Sequence, residues 1–579
     1  MSEANGGAGH GNGAGGGSIS GAELVARSLR QQGVTHIFGV IGVPVTPIAE
    51  AAQLVGIRYI GMRNEQAASY AAQAAGYLTG RPQACLVVSG PGVVHALAGL
   101  ANAQANCWPM LLIGGSAPTY QEGMGAFQEE RQLLATTPFT KLSRRVESTE
   151  RIPFFVEQAV RTALFGRPGA TYLELPEEVI EGRIDVEAVP STPTVGESPR
   201  SEAPVEAVEA ALRALAGAER PLVIVGKGMA WARAEAEVRE LIDRTQLPFL
   251  ATPMGKGVVP DSHPLSVAAA RSTALREADV ILLLGARLNW MLHFGQPPRF
   301  RPDVRVLQLD VIPEQIGANV PAEVALVGDG VAVTRQLLAA LAARPWQYAA
   351  ETTWRTTLAK KAEENAAQVA GMLADDRAPM NYYRALREIR EAMPPGAIIV
   401  SEGANTMDIG RTQLPNEEPR TRLDAGTQGT MGVGLGYAIA AAAVDPGRPV
   451  VAVEGDSAFG FSGMELETAA RHGLPITVVV LNNGGIGSGM PTEPTPAGMV
   501  APGALSVDAR YEQIAEAFGG VGFRVERPEE LGPALREALA SGVPAVVTVA
   551  IDPQAGRKPQ QFHWNTRLEQ PATASADAG

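Results

Sequence analysis

Asp456 and Asn483 stand near the two ends of one segment, GDSAFGFSGMELETAARHGLPITVVVLNNGG, which opens with Gly-Asp after one apolar run and closes with Asn-Asn-Gly-Gly after another. A carboxylate and an amide, joined by a backbone carbonyl at Gly485, offer hard oxygen ligands to a small octahedral divalent cation that partners a phosphate. Taken separately, Gly-Asp and Asn-Asn-Gly are ordinary loop chemistry, because Asp, Asn and Gly favour turns. Together, at the ends of two strands, they describe a clamp for magnesium and a diphosphate. A helix that starts after the first strand adds backbone N–H groups for the anion.

Such a clamp works only if both polar ends leave one sheet at the same edge. VVAVEG before Asp456 and ITVVVL before Asn482 read as buried parallel strands, with MELETAARHG between them as the crossover helix. The same alternation occurs in three successive stretches. Residues 18–190 alternate THIFGVIG, ACLVVSG, PMLLIGG and ATYLELP with Ala-rich helical segments. Residues 204–345 hold RPLVIVGKG, DVILLLGARL, VRVLQLDV and AEVALVGD, and residues 378–552 hold the clamp. VPSTPTVGESPRSEAP reads as an exposed linker and WRTTLAKKAEENAAQVAG as a charged helical one. The expected fold is α/β, with three consecutive doubly wound parallel-sheet domains. Residues 1–17 read as a disordered Gly-rich tail and 569–579 as a flexible one.

The 579 residues suit about three or four domains, and a hydrophobic content of 45% supplies large cores. A net charge of -13 with interspersed signs argues against a nucleic-acid binder and for a cytoplasmic chain. Cys85 and Cys107 support neither a disulfide framework nor a thiolate metal site and read as buried reduced thiols. No apolar run spans a bilayer, so no membrane partner is expected, and the N-terminus lacks the apolar stretch of a signal peptide.

The clamp and the three-unit layout resemble the thiamine-diphosphate-dependent decarboxylase and synthase superfamily. GDSAFGFSGME, EGANTMDIGRT, PRTRLDAGT, GAFQE and RKPQQFHWNTR are similar to the branch that holds oxalyl-CoA decarboxylase and 2-hydroxyacyl-CoA lyase, over nearly the whole chain. The resemblance implies thiamine diphosphate and Mg2+ as cofactors. It places Asp456, Asn483 and Gly485 on the metal. Glu65, in NEQAASY, reads in isolation as a first-turn acid complementing a helix dipole. The resemblance makes it the acid that protonates the aminopyrimidine ring. It also gives the Gly429 carbonyl to the pyrimidine amino group and Met431 the role of a wedge that bends the cofactor. Tyr382, Ala404, Asn405, Thr406, Ser457, Ala458 and Ile486 would border the diphosphate.

Within the branch, Phe127 and Gln128 match the lyase pattern, whereas the decarboxylase carries Tyr-Glu there. The implied reaction cleaves 2-hydroxyacyl-CoA to formyl-CoA and an aldehyde or ketone, reversibly, with Gln128 bonding a substrate oxygen and Ile41 and Gly42 at the pocket border. One departure is Gly487, where the family places a large aromatic. The smaller residue opens volume for a branched substrate such as 2-hydroxyisobutyryl-CoA. Glu493, the one acid between Glu467 and Asp508, is a candidate base for the substrate hydroxyl. Arg420 and Arg422, with Arg271 and Asn365, are candidates for coenzyme A. Arg557 and Lys558 would meet its phosphates while Phe562, His563 and Trp564 close the site as part of a C-terminal lid, residues 553–568. Lys227, Arg287, Asp310 and Arg161 match ADP-binding positions of the decarboxylase, and the middle unit lacks a Gly-x-Gly-x-x-Gly fingerprint. The superfamily completes its site across subunits, which implies a homodimer or homotetramer. Oxalyl-CoA decarboxylation and a noncatalytic nucleotide-binding regulator stay open as alternatives.

Overall fold

A computed structural model describes residues 17–487, 498–506 and 508–558. Glu493, Phe562, His563, Trp564 and both terminal tails lie outside the described residues.

Three parallel sheets form where apolar runs were expected. The first has strands in the spatial order Arg58–Gly61, His36–Val40, Gln83–Val87, Met110–Ser116, Ala170–Pro176 and Leu142–Arg145. The third repeats that topology with Arg422–Asp424, Ile398–Glu402, Val450–Gly455, Ile476–Asn482, Ala545–Ala550 and Val521–Val525. Between them lies a five-stranded sheet of Phe249–Ala251, Pro221–Val225, Val280–Leu284, Arg305–Asp310 and Ala322–Val327. Helices cover both faces of such sheets, so a central strand such as Val280–Leu284 is buried along its whole length.

Six helices matter for the site: α1 (Glu65–Thr79), α2 (Pro91–Asn106), α3 (Ala404–Gln413), α4 (Gly434–Val444), α5 (Asp456–Ser462) and α6 (Glu465–Arg471). α1 from the first unit packs on α4 from the third, and their small residues let the backbones meet. A Cβ on Gly436 would lie 2.8 Å from the Ala67 carbonyl oxygen. The rings of Tyr70 and Tyr437 meet edge-on with centroids 6.4 Å apart. One apolar core therefore joins the first and third units.

Some expectations need correction. MELETAARHG, expected as the crossover helix, is helical over α6, and a separate short helix, α5, precedes it across Gly463 and Met464, where glycine is a poor helix former. Cys85 is buried, whereas Cys107 is only half-buried; both are free. Among the described residues no helix is long and apolar enough to cross a membrane.

Candidate active site

Parallel strands bring all their carboxyl ends to one edge, the usual place for ligands in such sheets. Asp456 and Asn483 follow neighbouring strands of the third sheet and both are buried. The Asp456 carboxylate accepts N–H bonds from Ser457 at 2.8 Å, Gly484 at 2.9 Å and Gly485 at 3.2 Å. Burial pushes its carboxyl up to about 6, the cost of taking an anion out of water. A divalent cation would remove that cost. Among the described residues no cluster of three or more His, Cys, Asp or Glu exists. One carboxylate with amide and carbonyl oxygens fits a magnesium ion whose remaining ligands are phosphate and water.

The residues around the clamp fit a diphosphate and a flat ring. Thr406, in the first turn of α3, and Ala458, in α5, are buried, and α3 begins at Ala404. Asn405 and Asn483 both donate Nδ2 to the Gly487 carbonyl, at 3.1 and 3.2 Å. The Tyr382 hydroxyl bonds Asn405, and burial lifts its phenol to about 12. Ser457 Oγ lies 3.5 Å from the Met431 sulfur. Arg557 donates to the Asn405 side chain at 3.1 Å and to the Ala404 carbonyl at 3.3 Å, so the start of the C-terminal segment already touches the cradle.

Sequence reasoning missed the carboxylate that holds the turn after Met431. Glu402, buried at the end of its strand, accepts N–H bonds from Gly432 and, at 2.6 Å, from Gly434, fixing the turn between Met431 and α4. Burial pushes its carboxyl up to about 7. Glu454 is buried beside it, and burial with the neighbouring Glu402 charge pushes that carboxyl well up too. Neither Glu454 oxygen has a hydrogen-bond partner among the described residues. The clue in the sequence was an acid ending each of the apolar runs IIVSE and VVAVE.

Gly487 has φ +74°, and a Cβ there would meet no atom of the described residues within 4 Å. Among the described residues space is open here, but the left-handed backbone itself also favours glycine. Ile486 is half exposed next to it.

The first sheet presents a second edge. Glu65 is the first residue of α1, whose start is capped by Asn64 accepting from the Gln66 N–H at 2.7 Å. Its carboxylate lies 3.0 Å from His95 Nδ1 on α2, a partner the sequence did not disclose. Gln128 is held with φ +54°, and Ser89 Oγ donates to its Oε1 at 3.3 Å. A non-glycine residue in that region stores strain of a kind that concentrates at functional sites. Ile41, Gly42 and Phe127 share this edge, with Phe127 71% exposed.

A cleft of about 1120 Å³ between the units gathers most of the remaining candidates: Lys227, Arg271, Arg287, Asp310, Asn365, Arg557 and Lys558. Lys227 donates to the Asn106 carbonyl, and burial pushes its ammonium down to about 8. Arg287 donates to the Ala105 carbonyl at 2.7 Å, Arg271 to that of Met291 at 2.7 Å and Asn365 to that of Ala269 at 2.8 Å. Burial lowers the Arg271 guanidinium to about 10. Three assignments move. Arg422, 2% exposed, turns inward from its edge strand to Asn416 and the Leu414 carbonyl, which removes it from any coenzyme A phosphate. Arg420 is taken by Glu235 and the Ala230 carbonyl, a tie between units. Arg161 pairs with Glu157 at 2.8 Å on its own helix, away from the cleft, whereas Arg167, 3.1 Å from Asp310, lines it.

Comparison with known proteins accords with this geometry. Residues 19–136, 208–337 and 403–549 match the families described as thiamine pyrophosphate enzyme N-terminal TPP binding domain, central domain and C-terminal TPP binding domain. The chain is 52% identical over 562 residues to human 2-hydroxyacyl-CoA lyase 1, covering 95% of this chain and 97% of that one. It is 47% identical to the Arabidopsis thaliana 2-hydroxyacyl-CoA lyase, covering 93% and 96%. It is 42% identical to oxalyl-CoA decarboxylase of Escherichia coli K12, covering 93% and 95%.

Proposed function

The chain belongs to the 2-hydroxyacyl-CoA lyase family of thiamine pyrophosphate enzymes, a family of carbon–carbon lyases, and we propose that it cleaves a branched 2-hydroxyacyl-CoA, such as 2-hydroxyisobutyryl-CoA, to formyl-CoA and a ketone. The reaction is reversible by the same site. The observation that carries the substrate choice is the space beside Gly487 at the end of the metal clamp, open among the described residues.

Thiamine diphosphate, when bound, supplies the nucleophilic carbon for the thioester carbonyl. Asp456, Asn483 and the Gly485 carbonyl hold Mg2+, while Tyr382, Ala404, Asn405, Thr406, Ser457, Ala458 and Ile486 border the diphosphate. The Gly429 carbonyl takes the pyrimidine amino group, Met431 sets the bend and Glu65 holds a proton at the ring nitrogen. Gln128 hydrogen-bonds the substrate hydroxyl or carbonyl oxygen, and Ile41, Gly42 and Phe127 wall the pocket. Glu493 takes the hydroxyl proton as the carbon–carbon bond breaks. Arg271, Asn365, Arg557 and Lys558 serve coenzyme A, with residues 553–568 as a lid. Lys227, Arg287 and Asp310, joined by Arg167, suit ADP through cations for phosphate and a carboxylate for ribose. We divide the chain at 18–190, 204–345 and 378–552 and place it in the cytoplasm on its acidic, interspersed charge.

We propose that the chain self-associates. Thr430 bonds Asn102 and the Thr427 N–H bonds Asn106, both far along α2 from His95 and Glu65. Seven helical residues separate His95 from Asn102, which is about 10 Å of rise. A second copy, in a homodimer or homotetramer, would complete the site by setting its Glu65 edge against the Gly429–Met431 loop. Phe127 on one edge and Phe461, 61% exposed, on the other leave apolar surface for it.

The purified enzyme with Mg2+ and thiamine diphosphate should release acetone and formyl-CoA from 2-hydroxyisobutyryl-CoA. Carbon dioxide from oxalyl-CoA, with no carbonyl product from any 2-hydroxyacyl-CoA, would overturn the proposal in favour of decarboxylation.

A further inference from the structure

Glu465 opens α6, nine residues after Asp456, and is 1% exposed. Its carboxylate faces neither the clamp nor solvent. Both oxygens accept the Arg63 N–H, at 3.1 and 3.2 Å, and the Asn64 N–H also donates to it. Thr468 Oγ1 orients the same carboxylate at 2.7 Å. These are the two residues directly before Glu65, more than four hundred positions away in sequence. A buried carboxylate is expensive unless its bonds are good, and this one is satisfied largely by the turn that launches α1. Burial raises its carboxyl above the usual range, opposed by the bonds from Thr468, Arg63 and Asn64.

The rest of the contact repeats the arrangement. Arg471, at the end of α6, donates to the Gly61 carbonyl at 2.7 Å, and Arg58 donates to the His472 carbonyl at 3.2 Å. The strand Arg58–Gly61 and the turn to Asn64 are therefore gripped at three points by α6 and the residue that ends it. A turn gripped this way cannot rotate independently of α6, and the Glu65 carboxylate leaves it one residue later.

We propose that Glu465 is a positioning residue that fixes the direction of the Glu65 side chain by holding the backbone N–H groups of Arg63 and Asn64. The proposal rests on the reading of Glu65 as the acid that activates the cofactor. Its effect is on orientation, so loss of Glu465 should slow activation and leave cofactor affinity unchanged.

The test uses the full-length holoenzyme without substrate. The rate of hydrogen–deuterium exchange at the thiazolium C2 of bound thiamine diphosphate reports activation, and quenching of tryptophan fluorescence reports the Kd for the cofactor. Glu465→Gln is expected to slow exchange by about 10- to 100-fold, the scale of a small misplacement of a catalytic group, with Kd unchanged. Glu65→Gln is the reference. If Glu65→Gln exchanges at the wild-type rate, the reading of Glu65 fails; if Glu65→Gln is slow and Glu465→Gln is not, the positioning proposal alone fails. Should Glu465→Gln not fold, Thr468→Val removes the hydroxyl that orients the carboxylate and Thr468→Ser restores it. A slow Val variant rescued by Ser supports the proposal, and wild-type rates in both overturn it.

Discussion

At the scale of single residues, the site is built from groups whose surroundings are unfavourable until a ligand arrives. Asp456 is buried, and burial pushes its carboxyl up to about 6 against the opposing N–H bonds from Ser457, Gly484 and Gly485. Asp456→Ala should abolish Mg2+-dependent binding of thiamine diphosphate in a calorimetric titration while the chain keeps its fold; undiminished binding would remove this residue from the metal. Gly487 makes a subtler case. Among the described residues a ring at this position has room, yet the left-handed backbone costs any side chain about 1–2 kcal/mol. Gly487→Phe is therefore expected to give a folded enzyme whose kcat/KM for branched over straight-chain 2-hydroxyacyl-CoA falls about tenfold or more, the scale on which pockets discriminate small apolar groups. An unchanged ratio would mean that Gly487 answers to backbone conformation alone.

At the scale of elements, each parallel sheet turns one edge into a row of loops, and short contacts between elements set those loops. Glu402 at a strand end grips the turn into α4, and its raised carboxyl, about 7 against the usual 4.5, has a sign that can be worked out. Between those values the folded chain keeps a proton that the unfolded chain gives up. The stability from this group is fully present below about 4.5 and is lost as pH rises to about 7. Glu402→Gln should flatten that part of the fall in Tm with pH, read by calorimetry; a parallel fall in the variant would assign it to other groups. The strands themselves were legible, because runs such as VVAVEG and ITVVVL are buried on both faces and carry no polar alternation. The clamp was legible for the same reason, since its residues follow those runs directly. His95 beside Glu65, Glu465 under Arg63 and Arg167 beside Asp310 were not, because each pairing joins residues remote in sequence. PRTRLD misled because it looks like a solvated basic loop, whereas Arg422–Asp424 is an edge strand with its arginine turned inward.

At the scale of the molecule, the first and third units share one strand topology and one core, and each turns its own functional edge outward. The first edge carries Glu65 and Gln128, and the third carries the clamp and the pyrimidine loop. On the proposed assembly a second copy completes each site, setting Glu65 of one chain against that loop of the other. Light scattering should accordingly find no active monomer. The most direct measurement mixes two inactive variants, Glu65→Gln and Asp456→Ala, after dissociation and reassociation, and follows formyl-CoA release from 2-hydroxyisobutyryl-CoA. Random pairing gives hybrid dimers in which one site holds both defects and the other none, so about a quarter of wild-type activity should return. Activity that stays at the level of the separate variants, although hybrids have formed, would contradict the account.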